Sequence, residues 1–154
     1  MADPTFRRAT RADLETIVAM FADDQLGKTR EDASLPLNSS YTDAFEALDG
    51  DPNQYLLVGE QKGSVVAYLQ ITFIPHLSRL GSVRGQVESV RVRSDLRARG
   101  IGKLLMHESI RICRDHGCSL LQLTTDLKRD RTRRFYEDLG FEVTHHGMKM
   151  VLAD

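Results

Sequence analysis

The 154 residues suffice for one domain with a sizeable core, and 41% hydrophobic with 28% charged residues is an ordinary globular composition. No apolar run approaches the roughly 18 residues of a membrane span, and we expect no secretory signal in the polar N-terminus. Cys113 and Cys118 form neither a disulfide framework nor a zinc-type spacing, so we expect small core residues in a cytoplasmic protein without a bound metal.

The net charge of −1 conceals two halves of opposite sign. Residues 1–60 contain five Lys/Arg and twelve Asp/Glu, a difference of −7, whereas residues 84–134 contain thirteen and six, a difference of +7. A basic region attracts polyphosphate ligands and an acidic one suits a cationic partner, although either can simply be a solvated face. Because the positive charge is local and aromatic residues are only 6%, we expect no nucleic-acid partner.

The first 50 residues predict one strand and two helices. The predicted elements are a strand over Thr5–Ala9, a helix with Leu14, Ile17, Val18 and Phe21 at helical spacing, a loop over 28–40, and a short helix over Tyr41–Leu48. Thr10-x-x-Asp13 is a variant capping box for the first helix, with Asp in place of Glu.

The remaining residues predict three antiparallel strands followed by alternating helices and strands. The strands cover Gln54–Glu60, Val65–Ile74 and Ser82–Arg93; then come a helix over 101–116, a strand over Cys118–Thr125, a helix over Arg129–Leu139, and a bent strand or hairpin arm over Phe141–Leu152. Gly117 occupies the position of a helix C-cap glycine. The strand–helix–strand order around 101–116 implies a parallel strand pair with a right-handed crossover.

The segment from Val87 to Lys103 reads as a strand, a tight basic loop and the start of a helix. Backbone N–H groups of such a loop, together with those of the first helical turn, converge on one small space. Gly100 and Gly102 lack the Cβ atoms that would keep a ligand from the backbone. We therefore predict a pyrophosphate-binding loop, with an ordinary strand–turn–helix connection as the alternative.

The loop does not match the two commonest phosphate-binding motifs. A Walker A loop requires Ser or Thr after Lys103, and a dinucleotide fingerprint requires Gly at position 105, which is Leu. The pattern that fits is Arg97-x-x-Gly100-x-Gly102. It resembles the acetyl-CoA signature of the GNAT superfamily of N-acetyltransferases.

A second segment carries the same resemblance. Arg134-Phe135-Tyr136 followed by Gly140-Phe141 is similar to the end of the fourth helix in this superfamily, and the order of elements fits along essentially the whole chain. The resemblance, closest to small bacterial acetyltransferases, implies a single α+β domain over 1–154. It implies a central mixed sheet of six to seven strands flanked by about four helices.

The resemblance also implies where acetyl-CoA binds. The strand ending at Arg93 would splay from the strand beginning at Cys118, and pantetheine amides would pair with the backbone of Val90 and Val92 in the gap. The implied cofactor-binding residues share the strand end and the loop: Val90, Arg91, Val92, Arg97, Ala98, Arg99, Gly100, Ile101, Gly102 and Lys103. Many members place an Asn before the fourth helix, where this chain has Asp126, which could take the polar role.

Two residues are candidates for proton transfer to and from an amine and a thiol. Glu88 is the candidate base, because strand parity places it with Val90 and Val92 unless a bulge intervenes. Desolvation of a carboxylate on that face costs free energy unless the group has a catalytic role or a partner. The alternative is a structural ion pair with Arg84 or Arg91. Tyr136 is the candidate acid for the departing thiolate, or else a residue of an amphipathic helix whose hydroxyl reaches water.

These implications amount to an acetyl-CoA-dependent N-acetyltransferase that acts on a primary amine of a small molecule or peptide by direct attack. A non-catalytic acetyl-CoA-binding or regulatory module on the same fold is the alternative. The acidic residues near the two N-terminal helices suggest a cationic acceptor. A homodimer is compatible with the sequence, which carries no argument for it.

Overall fold

The computed structural model describes residues 2–153 and contains a five-stranded mixed sheet with helices on both faces. The strands are β1 (Thr5–Arg8), β2 (Gln54–Gln61), β3 (Ser64–Pro75), β4 (Val83–Val92) and β5 (Cys118–Gln122), paired in chain order. The four longer helices within the described residues are α1 (Leu14–Ala22), α2 (Ser39–Asp49), α3 (Ile101–Asp115) and α4 (Asp130–Asp138).

The sheet is antiparallel from β1 to β4, and β5 joins β4 in parallel through the α3 crossover. One face packs against α3 and α4, whose buried residues include Leu105, Met106 and Tyr136. The other face packs against α1 and α2 through residues such as Val18 and Phe45. The sheet therefore separates two apolar cores, one on each face.

Local signals in the sequence explain how several elements begin and end. Asp13 Oδ2 accepts a 2.8 Å hydrogen bond from the backbone N–H of Thr10, which confirms the capping box. Lys62 and Gly63 both have positive φ, as the tight β2–β3 turn requires. Gly117 ends the crossover helix with φ of 80°.

The predicted six to seven strands are too many, because residues 142–153 form no strand in the described chain. The segment predicted as a bent strand or hairpin arm is exposed after Phe141 and has no strand beside it. Strand β5 also ends at Gln122, three residues before the predicted Thr125. Alternating side chains favour an extended backbone, but a strand also needs a paired edge.

The two cysteines lie at the edge of the core beside α3. Cys113 is buried, Cys118 is half-buried, and neither forms a disulfide. Burial raises the pKa of the Cys113 thiol to about 12, so this thiol is protonated and unreactive at neutral pH. Within residues 2–153 no helix is long and apolar enough to cross a membrane, and no group of three His, Cys, Asp or Glu could hold a metal ion.

Candidate active site between β4 and β5

Strands β4 and β5 separate after a short paired stretch. Their last paired residues are Gln86 and Gln122, yet β4 continues to Val92. From Val87 onward the β5 side of β4 therefore has no strand beside it. The family resemblance implies this separation of the two strands, and an extended ligand in the gap.

In the open part of β4, two backbone carbonyl groups accept hydrogen bonds from arginine side chains rather than from a neighbouring strand. The Val90 carbonyl accepts a 2.9 Å hydrogen bond from Arg91 Nη1, and the Val92 carbonyl accepts one of 3.3 Å from Arg97 Nε. A carbonyl oxygen has two lone pairs. A ligand amide would use the second lone pair of each oxygen or displace the arginine.

The loop before α3 presents backbone donors that the protein itself does not use. The N–H groups of Ala98, Gly100, Ile101 and Gly102 donate to no backbone or side-chain acceptor within the part of the chain that the structure describes. The N–H of Lys103, by contrast, donates to the Gly100 carbonyl at 3.1 Å. The N–H of Arg97 also donates within the chain, to Ser94 O at 3.4 Å. Arg97 and Lys103, at the two ends of the predicted pyrophosphate-binding loop, therefore already use their N–H groups.

The two loop glycines have different physical roles. Gly100 has φ of 83°, and a Cβ built on it would meet no atom within 4 Å, so glycine serves the left-handed backbone there. A Cβ on Gly102 would lie 3.6 Å from Phe135 Cζ and 3.7 Å from Val92 Cγ2. That position therefore faces the α4 packing surface, in contrast to the expectation that both glycines clear space for a ligand.

A β-bulge in β4 decides the orientation of Glu88. Glu88 pairs with Gln70 and Arg91 pairs with Tyr68, so the single residue Leu69 opposes both Ser89 and Val90. Ser89 has φ of 56°, a left-handed conformation that costs energy in a residue other than glycine.

The extra residue reverses the alternation of side chains along the strand. Val90 and Val92 pack against the core under α3, whereas Glu88 shares the α1 and α2 face with Arg91 and Tyr68. Burial raises the pKa of Tyr68, and the negative charge of Glu88 adds to this shift. Glu88 therefore does not face the same side as Val90 and Val92, because β4 contains the bulge that the parity argument named as its exception.

Glu88 is exposed and belongs to a row of polar side chains. Gln122 Nε2 donates to Gln86 Oε1 at 2.7 Å, and Gln86 Nε2 donates to Glu88 Oε1 at 3.4 Å. The structural alternative of an ion pair with Arg84 or Arg91 is not realised among residues 2–153, where Arg91 pairs with Asp24 instead. The Glu88 carboxylate thus remains accessible from the α1 and α2 face.

Tyr136 lies in the core beneath the loop and packs edge-to-face with two phenylalanines. Its ring centroid is 5.2 Å from that of Phe135 and 5.8 Å from that of Phe141. Burial raises the pKa of the Tyr136 phenol, while the positive charges of Arg91 and Arg129 act in the opposite direction. The phenol is therefore protonated at neutral pH.

Comparison with known proteins identifies this arrangement. The profile of the Acetyltransferase (GNAT) family matches residues 18–141. This chain belongs to the GNAT acetyltransferase family. The match spans the gap between β4 and β5, the loop before α3, and both Glu88 and Tyr136.

Three relatives show how far the GNAT similarity extends. An aminoalkylphosphonate N-acetyltransferase of Salmonella typhimurium is 27% identical over 139 residues, which cover 90% of this chain and 85% of the relative. The crystal structure of a transcriptional regulator from Bacillus halodurans is 44% identical with a TM-score of 0.94, covering 97% of this chain and 99% of that one. A predicted acetyltransferase of Clostridium acetobutylicum, solved with acetyl-CoA, has a TM-score of 0.75 at 16% identity and 96% coverage of both chains.

Sequence reasoning missed an ionic cluster next to the gap between β4 and β5. Asp24, after α1, lies 2.8 Å from Arg129 Nη2 and 3.8 Å from Arg91 Nη2. The Arg91 guanidinium also stacks over Phe21 at 5.8 Å, and its Nε is buried without a hydrogen-bond partner in the described chain. No spacing in the sequence signals this cluster, because its members are 67 and 105 positions from Asp24.

Two further groups define the surroundings of the GNAT site. Asp126 is exposed, and its carboxylate accepts a 2.9 Å hydrogen bond from the backbone N–H of Lys128 in its own turn.

A cavity of about 120 Å³ lies between α1, α2 and the sheet. Its helix side is apolar, and Gln70 and Ser89 lie on its sheet side. The cavity therefore reaches the bulge next to Glu88.

Proposed function

We propose that this protein is an acetyl-CoA-dependent N-acetyltransferase that acetylates a primary amine by direct attack. The observation that carries the proposal is the juxtaposition of the β4–β5 gap with the unused N–H donors of the loop before α3. An extended amide-bearing arm fits the gap and a pyrophosphate fits the donors. Membership in the GNAT family supports the same assignment.

The protein would hold acetyl-CoA mainly through its backbone. The pyrophosphate would accept from the N–H groups of Ala98, Gly100, Ile101 and Gly102, at the positive end of the α3 dipole. Lys103 is exposed on the first turn of α3 and adds positive charge there. The pantetheine amides would lie along Val90 and Val92. Asp126 remains a proposed contact only if its turn with Lys128 opens.

The chemistry requires two proton transfers by the protein. The thioester supplies an activated acetyl carbonyl, and the neutral amine nitrogen forms a bond to that carbon as the C–S bond breaks. Glu88, reached from the α1 and α2 face, would take the ammonium proton of the incoming amine directly or through water. The second proton, which the nitrogen loses as the amide forms, would pass to water. Tyr136, protonated at neutral pH, would give its proton to the departing thiolate.

The acceptor would enter from the side of α1 and α2, where the bulge exposes Glu88. The expected excess of negative charge is reduced there, because Asp24 pairs with Arg129 and Glu31 with Arg30. Gln54, Gln70 and Thr72 form a hydrogen-bonded group on the same face. We therefore favour an amine with hydrogen-bonding substituents over one selected by positive charge alone.

Turnover of an amine panel tests the proposal. Acetyl-CoA is supplied, and free thiol is measured with and without each acceptor, including aminoalkylphosphonates, polyamines, amino sugars and peptide amines. We expect at least one acceptor to give acetylated product, identified by mass, at a rate above acetyl-CoA hydrolysis. Tight acetyl-CoA binding with no acetylated amine from any class would contradict the enzymatic proposal.

A second candidate is an acetyl-CoA-binding regulatory module. It is favoured by the name of the 44% identical Bacillus halodurans relative, which is that of a transcriptional regulator. Both candidates predict binding of acetyl-CoA, but only the enzyme requires Glu88 and Tyr136. Variants of these two residues that bind acetyl-CoA normally and lose turnover would favour the enzyme, whereas wild-type protein with no turnover would favour the module.

A further inference from the structure

Two groups of opposite charge lie on the same face of the sheet, on either side of the bulge in β4. Glu88 pairs with Gln70 and Arg91 pairs with Tyr68, and one residue separates Gln70 from Tyr68 on β3. Two residues along a strand span about 7 Å, and residues two apart point to the same face. The bulge therefore brings the Glu88 carboxylate and the Arg91 guanidinium to one face, two strand positions apart.

The cavity between α1, α2 and the sheet lies over these two positions. Its lining includes Tyr68 and Gln70, the strand partners of the charged residues, and Phe21 of α1. Arg91 Cζ lies 5.8 Å from the centre of the Phe21 ring, and the negative charge of Glu88 contributes to the raised pKa of Tyr68. The cavity thus has a carboxylate beside one end of its floor and a guanidinium beside the other end.

The guanidinium end has more cationic than anionic groups. Arg91 and Arg129 share the Asp24 carboxylate, at 3.8 and 2.8 Å, so one negative charge faces two positive charges. Arg30 pairs with Glu31 at 3.6 Å and leaves this balance unchanged. Among these groups one positive charge therefore remains without an anionic partner.

Arg91 also has unused hydrogen-bonding capacity. Its side chain is 14% exposed, its Nη1 donates to the Val90 carbonyl at 2.9 Å, and its Nε has no partner in the described chain. The 3.8 Å between its Nη2 and Asp24 is too long for a hydrogen bond. Burial lowers the pKa of Arg91, which is the direction expected when removal from water outweighs the charge of Asp24. An oxyanion that accepts from this guanidinium would stabilise it.

We propose that the acceptor is a zwitterion, a short amine that also carries a carboxylate or another oxyanion. This inference rests on the proposed function. The ammonium group would lie beside Glu88 and the oxyanion beside Arg91 and Arg129, with the connecting chain over Tyr68 and Gln70. The cavity of about 120 Å³ is smaller than the roughly 300–1,000 Å³ of pockets for drug-sized ligands, which favours a short connecting chain over a peptide.

The two charged ends of the cavity predict an order of preference among amines. An oxyanion compensates the charge of Arg91 and Arg129, whereas a neutral substituent leaves that charge without a partner. A second ammonium group at the same end would be repelled. We therefore expect amines with an anionic substituent to be preferred over neutral ones, and neutral ones over diamines.

The test compares three amines with the same carbon chain: β-alanine, its amide β-alaninamide, and trimethylenediamine. We measure kcat/KM for acetylation of each amine and, by calorimetry, its binding to the full chain saturated with CoA. We expect the wild type to prefer β-alanine over its amide by about tenfold or more, because only β-alanine offers a charge-assisted hydrogen bond to Arg91. We expect the diamine to be the poorest of the three.

Two variants and a control locate the preference. Arg91→Gln and Arg129→Gln each remove one positive charge, and we expect each to lower the preference for β-alanine over its amide by about tenfold. The ratio compares two amines with the same protein, so a change in acetyl-CoA affinity cancels. Arg129 is 32% exposed and provides the test if Arg91→Gln does not fold. Arg133→Gln removes the same charge at an exposed position of α4 and should keep the wild-type ratio.

The two readouts separate this inference from the proposed function. Equal values for β-alanine and its amide in the wild type, or a preference that both variants retain, would overturn the zwitterion inference and leave the acetyltransferase proposal standing. Binding of β-alanine that depends on Arg91 and Arg129, with no turnover of any amine, would support the inference and contradict the enzymatic proposal. Neither binding nor turnover of β-alanine would overturn the inference.

Discussion

The carboxylate of Asp24 accepts a 2.8 Å hydrogen bond from Arg129, a residue 105 positions later in the chain. This contact joins the end of α1 to the start of α4. Although burial acts to raise it, hydrogen bonding to Arg129 and the charge of Arg91 hold the pKa of Asp24 below its ordinary value. The carboxylate is therefore ionised and pairs with two arginines beside the gap between β4 and β5.

We expect Asp24→Asn to destabilise the protein by about 2 kcal/mol, because two partly buried guanidinium groups lose their anionic partner. In a chain of this size that corresponds to a fall in Tm of roughly 4–8 °C. The control is Asp23→Asn, since Asp23 is exposed and contributes its backbone carbonyl to Arg97. Equal Tm values for the two variants would show that the Asp24 cluster does not stabilise the fold.

If acetyl-CoA binds to the loop before α3, it should raise the Tm of the protein, because it binds the folded state only. Gly100→Asp should abolish the ligand-induced rise in Tm, because a carboxylate at this open position would repel a pyrophosphate. Gly63→Asp is the matched control, as Gly63 also has positive φ and open space at its Cβ position, but lies in the β2–β3 turn. A folded Gly100→Asp variant with an unchanged rise in Tm would place the pyrophosphate elsewhere.

Glu88→Gln should lower kcat by about 10²–10⁴-fold if Glu88 is the base, because the amide cannot accept the ammonium proton. Binding of acetyl-CoA should change little, since Glu88 and the backbone groups proposed for the cofactor lie on different faces or edges of β4. Glu15→Gln, at another exposed glutamate, is the control. Wild-type turnover of Glu88→Gln from pH 6 to 9 would remove Glu88 from the mechanism.

Tyr136→Phe should lower turnover without a comparable loss of acetyl-CoA affinity. The substitution keeps the ring and its packing against Phe135 and Phe141 and removes the proton donor, so stability should fall by about 1 kcal/mol or less. The loss of kcat should shrink for thioesters with more acidic thiols, which leave with less help. Equal losses for acetyl-CoA and an activated thioester would count against the acid role.

The hydrogen bonds around Asp13 predict a pH-dependent contribution to stability. Arg7 donates to both Asp13 oxygens at 2.7 and 2.9 Å, and these bonds hold the pKa of Asp13 below its ordinary value of 3.8 against the effect of burial. Because the folded state lowers this pKa, the interactions of ionised Asp13 stabilise the protein above pH 3.8. This stabilisation is lost as the pH falls through the folded-state pKa.

Unfolding free energies between pH 2 and 6 measure this contribution. Below the ordinary pKa, the wild type should lose more stability than Asp13→Asn, whose side chain does not titrate. At pH 6 the variant should be less stable by about 2 kcal/mol, because it loses charged hydrogen bonds. Parallel pH profiles for the two proteins would show that Asp13 does not provide this linkage.

The sequence was sufficient to predict the elements whose signals are local. The helix after the basic loop, its glycine cap at Gly117, the capping box at Thr10 and the parallel β4–β5 pair all follow from periodicity, caps and chain order. The position of the loop before α3 is also predicted from local signals, because the strand, glycines and helix start are consecutive. Apart from the β4–β5 pair, which follows from chain order, these features depend on residues only a few positions apart.

Tertiary structure decided the features that depend on strand register and distant partners. The parity of β4 predicted Glu88 beside Val90, but the bulge opposite Leu69 reverses it, and bulges follow from how two strands pair. The contact of Asp24 with Arg129 likewise requires the complete fold. The alternating residues of the arm predicted a strand, yet strand formation needs an edge to supply hydrogen bonds, and none lies beside the arm within the described chain.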